Sequence, residues 1–595
     1  MTEQERDCVL LLDEMAIKPS YEFDSRTGSV IGHCTIPGSK NKSMDDTMAT
    51  HAFVLMLCGL TTRWKQVVAY YFTGDSFSAE QIKKIILEII TKASEYNFKV
   101  LNVTMDMGGG NQGVLREFGV SCKVSRATNE DGTLTSQALI KNTYPHPAFE
   151  NEQLTFMPDV PHLLKNIRNH LTRGQVIYLP DYVVVDNNLA SNSVSITFIK
   201  ELLQHDSLHS LKIAPHLSEK ALDPGHFNKM KVSLARNLLS RKTGPALCFL
   251  MQEGVIGHSA SATAWFCDQI GLWYDLMTSR STSMGLSLFD MQKHAEAVTF
   301  LKSIIKLFTE VKIGSEAKPT WKPVQSGTIL ATKTALQLQN CLVLEKGYKF
   351  LLMSRFSQDA LENLFSMVKF KNPIPTALEF KNALRIITVS QCITGKTTSS
   401  YEADDSEQCT SILDISLPST YNNDLLPSEL TDDLHISVTE AAGLEYLGGY
   451  AVHQFIKLNR HCDTCVKALT IPPPVPLQHD YAQHQSLVQL RDYTKQALVY
   501  ISPAVKQLLE AAEKVFKTNE KDIMRTQNVL TALVIACSSS SHHNIPDCHQ
   551  AVSRILKTFF RVRINTLLQE KKKQNEKSSC GKGSRSITMR ELVDK

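Results

Sequence analysis

A chain of 595 residues exceeds the size at which a single hydrophobic core stops growing, so roughly two to four domains are expected. With 43% hydrophobic and 21% charged residues the composition is that of an ordinary globular protein and excludes a disordered class. The formal charge of +4 does not announce a nucleic-acid binder. No run of about 18 apolar residues is present and MTEQERDC lacks a basic-then-apolar pattern, so a chain neither secreted nor membrane-spanning is expected.

In chain order, CVLLLDEMAI reads as a short apolar strand interrupted by two carboxylates, and GSVIGHCTI and WKQVVAYYF read as further strands. Ile82, Ile85, Ile86, Ile89, Ile90 and Ala93 recur at helical spacing and predict a helix with one apolar face. FKVLNVTMD is then another strand ending in a carboxylate, followed by GGGNQG. That order predicts an open α/β sheet of the kind that begins an RNase H-like fold. From about 160 to 345 the periodicity is mainly helical, and SRFSQDALENLFSMVK predicts a helix over 354–369 with Ser357 as its N-cap. Residues 396–435 turn polar and acidic, a second helical region follows, and the tail from 571 is basic and reads as disordered. The 14 Cys are mostly single and embedded in apolar stretches, which fits a reducing compartment.

Asp13 sits in an apolar run, where a carboxylate is costly unless paired or metal-bound, although with Glu14 it could simply mark the strand's exit. Asp106 repeats the pattern at the end of VLNVTMD. Two strand-end carboxylates on neighbouring strands would converge and offer hard oxygen ligands for Mg²⁺. GGGNQG fits neither GxGxxG nor GxxxxGK[ST], so a tight turn is favoured over a phosphate cradle. Asp359 and Glu362 are three apart and share a helical face, which taken alone describes a solvated surface as well as a metal site.

These segments together resemble the P element transposases and their THAP-domain relatives. The matching stretches are LLLDEMAIK at 10–18, VTMDMGGGNQG at 103–113, PDVPHLLKNIRN at 158–169, WYDLMTSR at 273–280 and SRFSQDALENLFSMVK at 354–369. The resemblance implies an α/β fold: an RNase H-like catalytic core interrupted by a mainly helical insertion that binds a guanine nucleotide, followed by a mostly helical C-terminal region. Carried over by position, the family's catalytic, metal-binding acids fall on Asp13, Asp106 and Glu362. The family's DxxH pair falls on Asp159 and His162, for which a helix-capping Asp and a helix-borne His is the alternative. Guanine contacts fall near Asp275 and Asp359. The implied chemistry is two-metal: Mg²⁺ ions held by the triad activate a water, then a DNA 3′-hydroxyl, for in-line phosphodiester attack. Lys165, Arg168 and Lys369 are candidate phosphate contacts.

The corresponding organisation is 1–143, N-terminal part of the core; 144–320, helical insertion; 321–395, C-terminal part of the core; 396–435, acidic linker; 436–570, helical C-terminal domain; and 571–595, basic tail. In HCDTC, Cys462 and Cys465 have zinc spacing, and His461, Cys548 or His549 could complete a structural Zn²⁺ site, against ordinary helix-borne thiols. The resemblance implies DNA and a guanine nucleotide as partners, GTP and Mg²⁺ as cofactors, no membrane, the nucleus as compartment, and a homo-oligomer as an open option. The family's THAP-type zinc finger and zipper-like segment have no counterpart ahead of the first strand, so weak, sequence-indifferent DNA binding is the expectation. The leading reading is a DNA strand-cleaving and strand-joining transposase. Its alternatives are a domesticated, catalytically silent interaction factor on the same fold, and a nuclease of RNA–DNA hybrids, which would leave the insertion without a use.

Overall fold

The computed structural model describes residues 1–36, 47–128, 134–225, 228–314, 320–394, 435–459, 462–473, 485–493, 497–524, 526, 528–540, 545–546 and 548–581. The acidic linker, apart from its last residue, and the end of the basic tail lie outside them. The chain divides into two compact units, one of residues 1–201, 216–247 and 256–404, the other of 202–215, 248–255 and 405–595. Among the described residues no helix is long and apolar enough to cross a membrane.

The first unit is built on a six-stranded sheet. Its strands are β1 (Asp7–Ala16), β2 (His51–Gly59), β3 (Lys65–Thr73), β4 (Lys99–Met105), β5 (Thr143–Pro145) and β6 (Gln153–Pro158), in the order β3-β2-β1-β4-β6-β5. β3, β2 and β1 are antiparallel in turn, whereas β4 is parallel to β1, β6 is parallel to β4 and β5 is antiparallel to β6. Three antiparallel strands continued by two parallel ones is the RNase H-like arrangement. The parallel strands require crossovers. The first is α1 (Ala79–Glu95), capped by Ser78, whose hydroxyl accepts from Gln81 N, and burying Ile82, Ile86, Ile90 and Ala93. Each of the three isoleucines contributes on the order of 1.5–3 kcal/mol by leaving water, and this face joins Leu10, Leu12, Val103 and Phe156 in one core.

Two expectations need correction here. Of 28–36, read as a strand, only Ser29–Ile31 is one, in a small hairpin with Glu22–Asp24, and the strand beside β1 is His51–Gly59, which the sequence reading did not mark. The reason is burial on both faces: after its first residue every β2 residue is buried, so HAFVLMLCG shows no alternation to read. The core also runs on past 143, since Thr143–Pro145 and Gln153–Pro158 belong to its sheet. β6 is held by α6 (Pro323–Gln339), whose Thr334 hydroxyl donates to Phe156 O at 2.7 Å.

Between them, the insertion is helical as read, with α3 (Val160–Thr172), α4 (Ser261–Met277) and α5 (Met291–Glu310) its longer helices within this unit, plus a small three-stranded sheet. After α6 come α7 (Asp359–Val368) and α8 (Ala377–Thr394).

The second unit has its own apolar core, made by α9 (Val438–Leu458), α10 (Asp463–Leu469), α11 (Pro503–Thr518), α12 (Val529–Ser540) and α13 (Ala551–Gly581). Between Glu513 on α11 and Arg563 on α13 lies a buried bidentate ion pair, both contacts 2.8 Å. α13 continues through Lys571–Lys573 to Gly581, where the sequence predicts a disordered tail; the helix simply outlasts its apolar face.

Candidate active site

Asp13 lies inside β1. The register pairs Leu11 with Thr104 of β4, so Asp13 and Asp106 each stand two residues beyond that pair, at one end of two adjacent parallel strands. Asp106 follows the last residue of β4, and its Oδ1 accepts from Gly108 N at 2.8 Å and Asn111 Nδ2 at 2.6 Å. The glycines after it are not a simple turn, as expected, but open a helix, α2 (Gly109–Glu117), with Gly108 at its N-cap. The Asp106 carboxylate thus takes up the backbone N–H of the N-cap residue and a side-chain amide from the first turn. Close approach also demands the glycines: a Cβ on Gly108 would lie 3.0 Å from Asp106 Oδ1, and one on Gly110 2.7 Å from the Phe77 ring.

Burial pushes the Asp13 carboxyl up to about 7; the negative charges of Asp106 and Asp159 act the same way, while His162 and the Glu14 N–H pull it back. Burial also raises Glu14, which accepts from the Thr73 hydroxyl at 3.2 Å and lies within the field of Asp106. Buried carboxylates that repel one another call for a positive partner.

Asp159 caps α3, accepting from His162 N at 3.0 Å and from His162 Nδ1 at 2.8 Å. The capping role and the pairing with His162 are thus one arrangement. Burial opposes charge on Asp159, but His162 and the backbone N–H groups of Gln358 and His162 outweigh it and hold the carboxyl below its ordinary value. Burial likewise opposes charge on His162, and Asp159 more than compensates, raising the imidazole.

The link to Glu362 is Gln358, which sequence reasoning missed. Its backbone N–H donates to Asp159 Oδ1 at 2.9 Å, its side-chain Nε2 donates to the carbonyl of Leu12, the residue before Asp13, and its own carbonyl accepts from Glu362 N at 2.9 Å. A second tie is Thr104 Oγ1, donating to Phe356 O at 2.9 Å. The start of α7 is thereby fixed to β1, β4 and the α3 cap. Glu362 sits one turn further on, with Lys165 Nζ 3.9 Å from its Oε1. In sequence Gln358 is one more polar residue in a polar stretch; only its burial and its three partners mark it. Nor is Ser357 the helix N-cap: Met353–Phe356 form a 3₁₀ turn and α7 starts at Asp359 after Gln358.

Of the expected phosphate contacts, Lys165 is almost fully buried yet reaches Glu362. Arg168 is a correction: it is wholly buried, donating to Lys229 O at 2.5 Å and Asn169 Oδ1 at 3.0 Å, because its face of α3 points into the fold. Lys369 is exposed at the end of α7.

Asp275 on α4 and Asp359 at the head of α7 each hold an arginine, Arg236 at 3.1 Å and Arg280 at 2.8 Å. Tyr274 links them: the Arg236 guanidinium lies 6.0 Å from its ring centroid. Burial first and the Asp359 charge next push its hydroxyl up to about 12. In the second unit, Cys462, Cys465, Cys548 and His549 place their ligand atoms within 4.8 Å of one another; His461 lies outside the described residues.

Comparison with known proteins agrees with this architecture. Residues 1–119 match the family model described as "TNP-like, RNase H N-terminal domain", and residues 161–287 match "TNP-like, GTP-binding insertion domain". The chain is 25% identical over 385 residues to the transposable element P transposase of Drosophila melanogaster, covering 64% of this chain and 44% of that protein. It is 22% identical over 387 residues to the human DNA transposase THAP9, covering 63% and 40%. It therefore spans less than half the length of these curated relatives. The solved Drosophila P element transposase strand transfer complex has a similar fold, with a TM-score of 0.51 at 22% identity over 67% of this chain and 78% of that one.

Proposed function

Because this chain belongs to the P element-type transposase family, we propose that it is a metal-dependent DNA transposase, cutting DNA strands and joining a 3′-hydroxyl end to a target by transesterification. The observation that carries the reading is that Asp13 and Asp106 stand at the same end of two adjacent parallel strands, with Gln358 tying the start of the Glu362 helix to the first of them. The donor set of three carboxylates suits a hard divalent cation, and on the residue that ties their elements together the buried Oε1 of Gln358 has no hydrogen-bond partner among the described residues. Asp13, Asp106 and Glu362 would hold Mg²⁺, which when bound supplies charge neutralisation at the scissile phosphate and lowers the cost of forming a hydroxide or alkoxide nucleophile.

The chain's own residues do the positioning. Asp106 is aimed by Gly108 and Asn111, Asp159 holds His162 through its Nδ1 and favours its protonated form, and the Lys165 side chain is placed to offset negative charge near Glu362. Such fixed charges cost no reorganisation when the phosphoryl centre becomes more negative.

A guanine nucleotide belongs to the same reading, with Asp275 and Asp359 accepting from the N–H edge of the base and Arg236 and Arg280 turning from them to its phosphates. The reading also includes Zn²⁺ at Cys462 and Cys465, DNA as macromolecular partner and the nucleus as the place of work.

A strand-transfer assay with a 3′-hydroxyl duplex end and a plasmid target tests it. Mg²⁺-dependent joined product is expected, enhanced by GTP over ATP, and reduced by roughly three orders of magnitude in Glu362→Gln, which corresponds to about 4 kcal/mol of transition-state stabilisation. Product formed equally well by wild type and by Glu362→Gln would overturn the proposal.

A further inference from the structure

Two distant stretches of the second unit bring four metal-ligating side chains to one point. Cys462 is the N-cap of α10 and Cys465 lies in its first turn, whereas Cys548 and His549 are adjacent in the segment just ahead of α13. Cys462 Sγ is 3.5 Å from Cys548 Sγ, Cys465 Sγ is 3.7 Å from His549 Nδ1, and Cys548 Sγ is 3.0 Å from that same nitrogen. A tetrahedral zinc with Zn–S of about 2.3 Å and Zn–N of about 2.0–2.1 Å has ligand–ligand edges of roughly 3.5–3.8 Å. Two of the three separations are such edges, and the third needs only a small outward movement.

Neither a disulfide nor apolar packing produces this cluster. A disulfide needs sulfurs at about 2.03–2.05 Å, and all three thiols are free. Apolar packing explains Cys465, buried in the helical core, but not an exposed histidine that directs its ring nitrogen at two sulfurs. His549 and Gln550 also take φ of 55° and 54°, a backbone conformation that costs non-glycine residues about 1 kcal/mol or more and persists where something fixes it.

We propose that Cys462, Cys465, Cys548 and His549 together form a closed structural zinc site that clamps α10 to the start of α13. Four protein ligands leave no open position, so the ion's role is architectural. It ties residues 83 or more positions apart in the chain and fixes where the long α13 begins. The proposal completes the zinc part of the functional reading and does not depend on strand transfer.

The test is metal analysis of the full chain purified under reducing conditions without chelator. About one zinc per chain is expected, and Cys462→Ser and Cys548→Ser should each lose most of it. Replacement by Co²⁺ should give the visible absorption of a tetrahedral thiolate site. The ligand swap His549→Cys should retain zinc, which guards against misreading a folding failure, while Asp13→Asn should lose strand transfer and keep its zinc. Zinc-free protein whose melting temperature is unmoved by added Zn²⁺ and which gives no cobalt spectrum, or a Cys462–Cys548 disulfide on peptide mapping, would overturn the proposal.

Discussion

Gln358 ties the segment that carries Glu362 to the strand that carries Asp13 and to the Asp159 cap. It is 1% exposed, and its three partners belong to β1, the α3 cap and α7. Replacing it by Ala removes the link to Leu12 but leaves all three carboxylates in the chain. Gln358→Ala should therefore lower strand transfer by roughly 10²-fold, the effect of about 1 Å of misplacement at a reacting centre. Its fold should survive, and Gln358→Glu should fail to rescue, since a carboxylate cannot donate to the Leu12 carbonyl. Steady-state rates across an Mg²⁺ titration, with circular dichroism of each variant, would check this. Wild-type rates in Gln358→Ala would show that α7 is held by other contacts.

At the scale of elements, what could be read from the sequence followed periodicity. The α1 face, β3, β4 and the helical insertion showed their periods openly, and the acids at Asp13 and Asp106 stood out because carboxylates are rare inside apolar runs. β2 showed nothing, because a strand buried on both sides has no alternation, and the glycines after Asp106 looked like a turn because their purpose, close approach to Phe77 and Asp106, is tertiary. In the second unit, α9 begins with a capping box, Ser437 with Glu440. Glu440 also takes Lys517 of α11 on both oxygens at 2.9 and 2.8 Å. Burial opposes its ionisation, but Lys517, Ser437 and Ser210 outweigh it and hold the carboxyl at about 2. The folded value lies below the ordinary one of 4.5, so the stability it contributes is complete above about pH 4.5 and is lost as pH falls toward 2. Thermal melts at pH 7, 4.5 and 3 should show Glu440→Gln less stable than wild type at pH 7, with the gap closing on acidification. A gap that stayed constant would mean that the pair contributes nothing through its charge.

For the whole molecule, the chain folds as two units, each with its own apolar core. The first carries Asp13 and Asp106 at one end of an RNase H-like sheet and ties the start of α7 to it through Gln358, while the second is a helical body. The central claim is that Asp13, Asp106 and Glu362 form a divalent-metal site, and crystals of the full chain soaked in Mn²⁺ test it most directly through anomalous scattering. The account predicts anomalous density bounded by the Asp13 and Asp106 carboxylates and approached by Glu362, absent in crystals of Asp13→Asn. Diffraction with Mn²⁺ bound elsewhere, or no anomalous density between those carboxylates at saturating Mn²⁺, would contradict it.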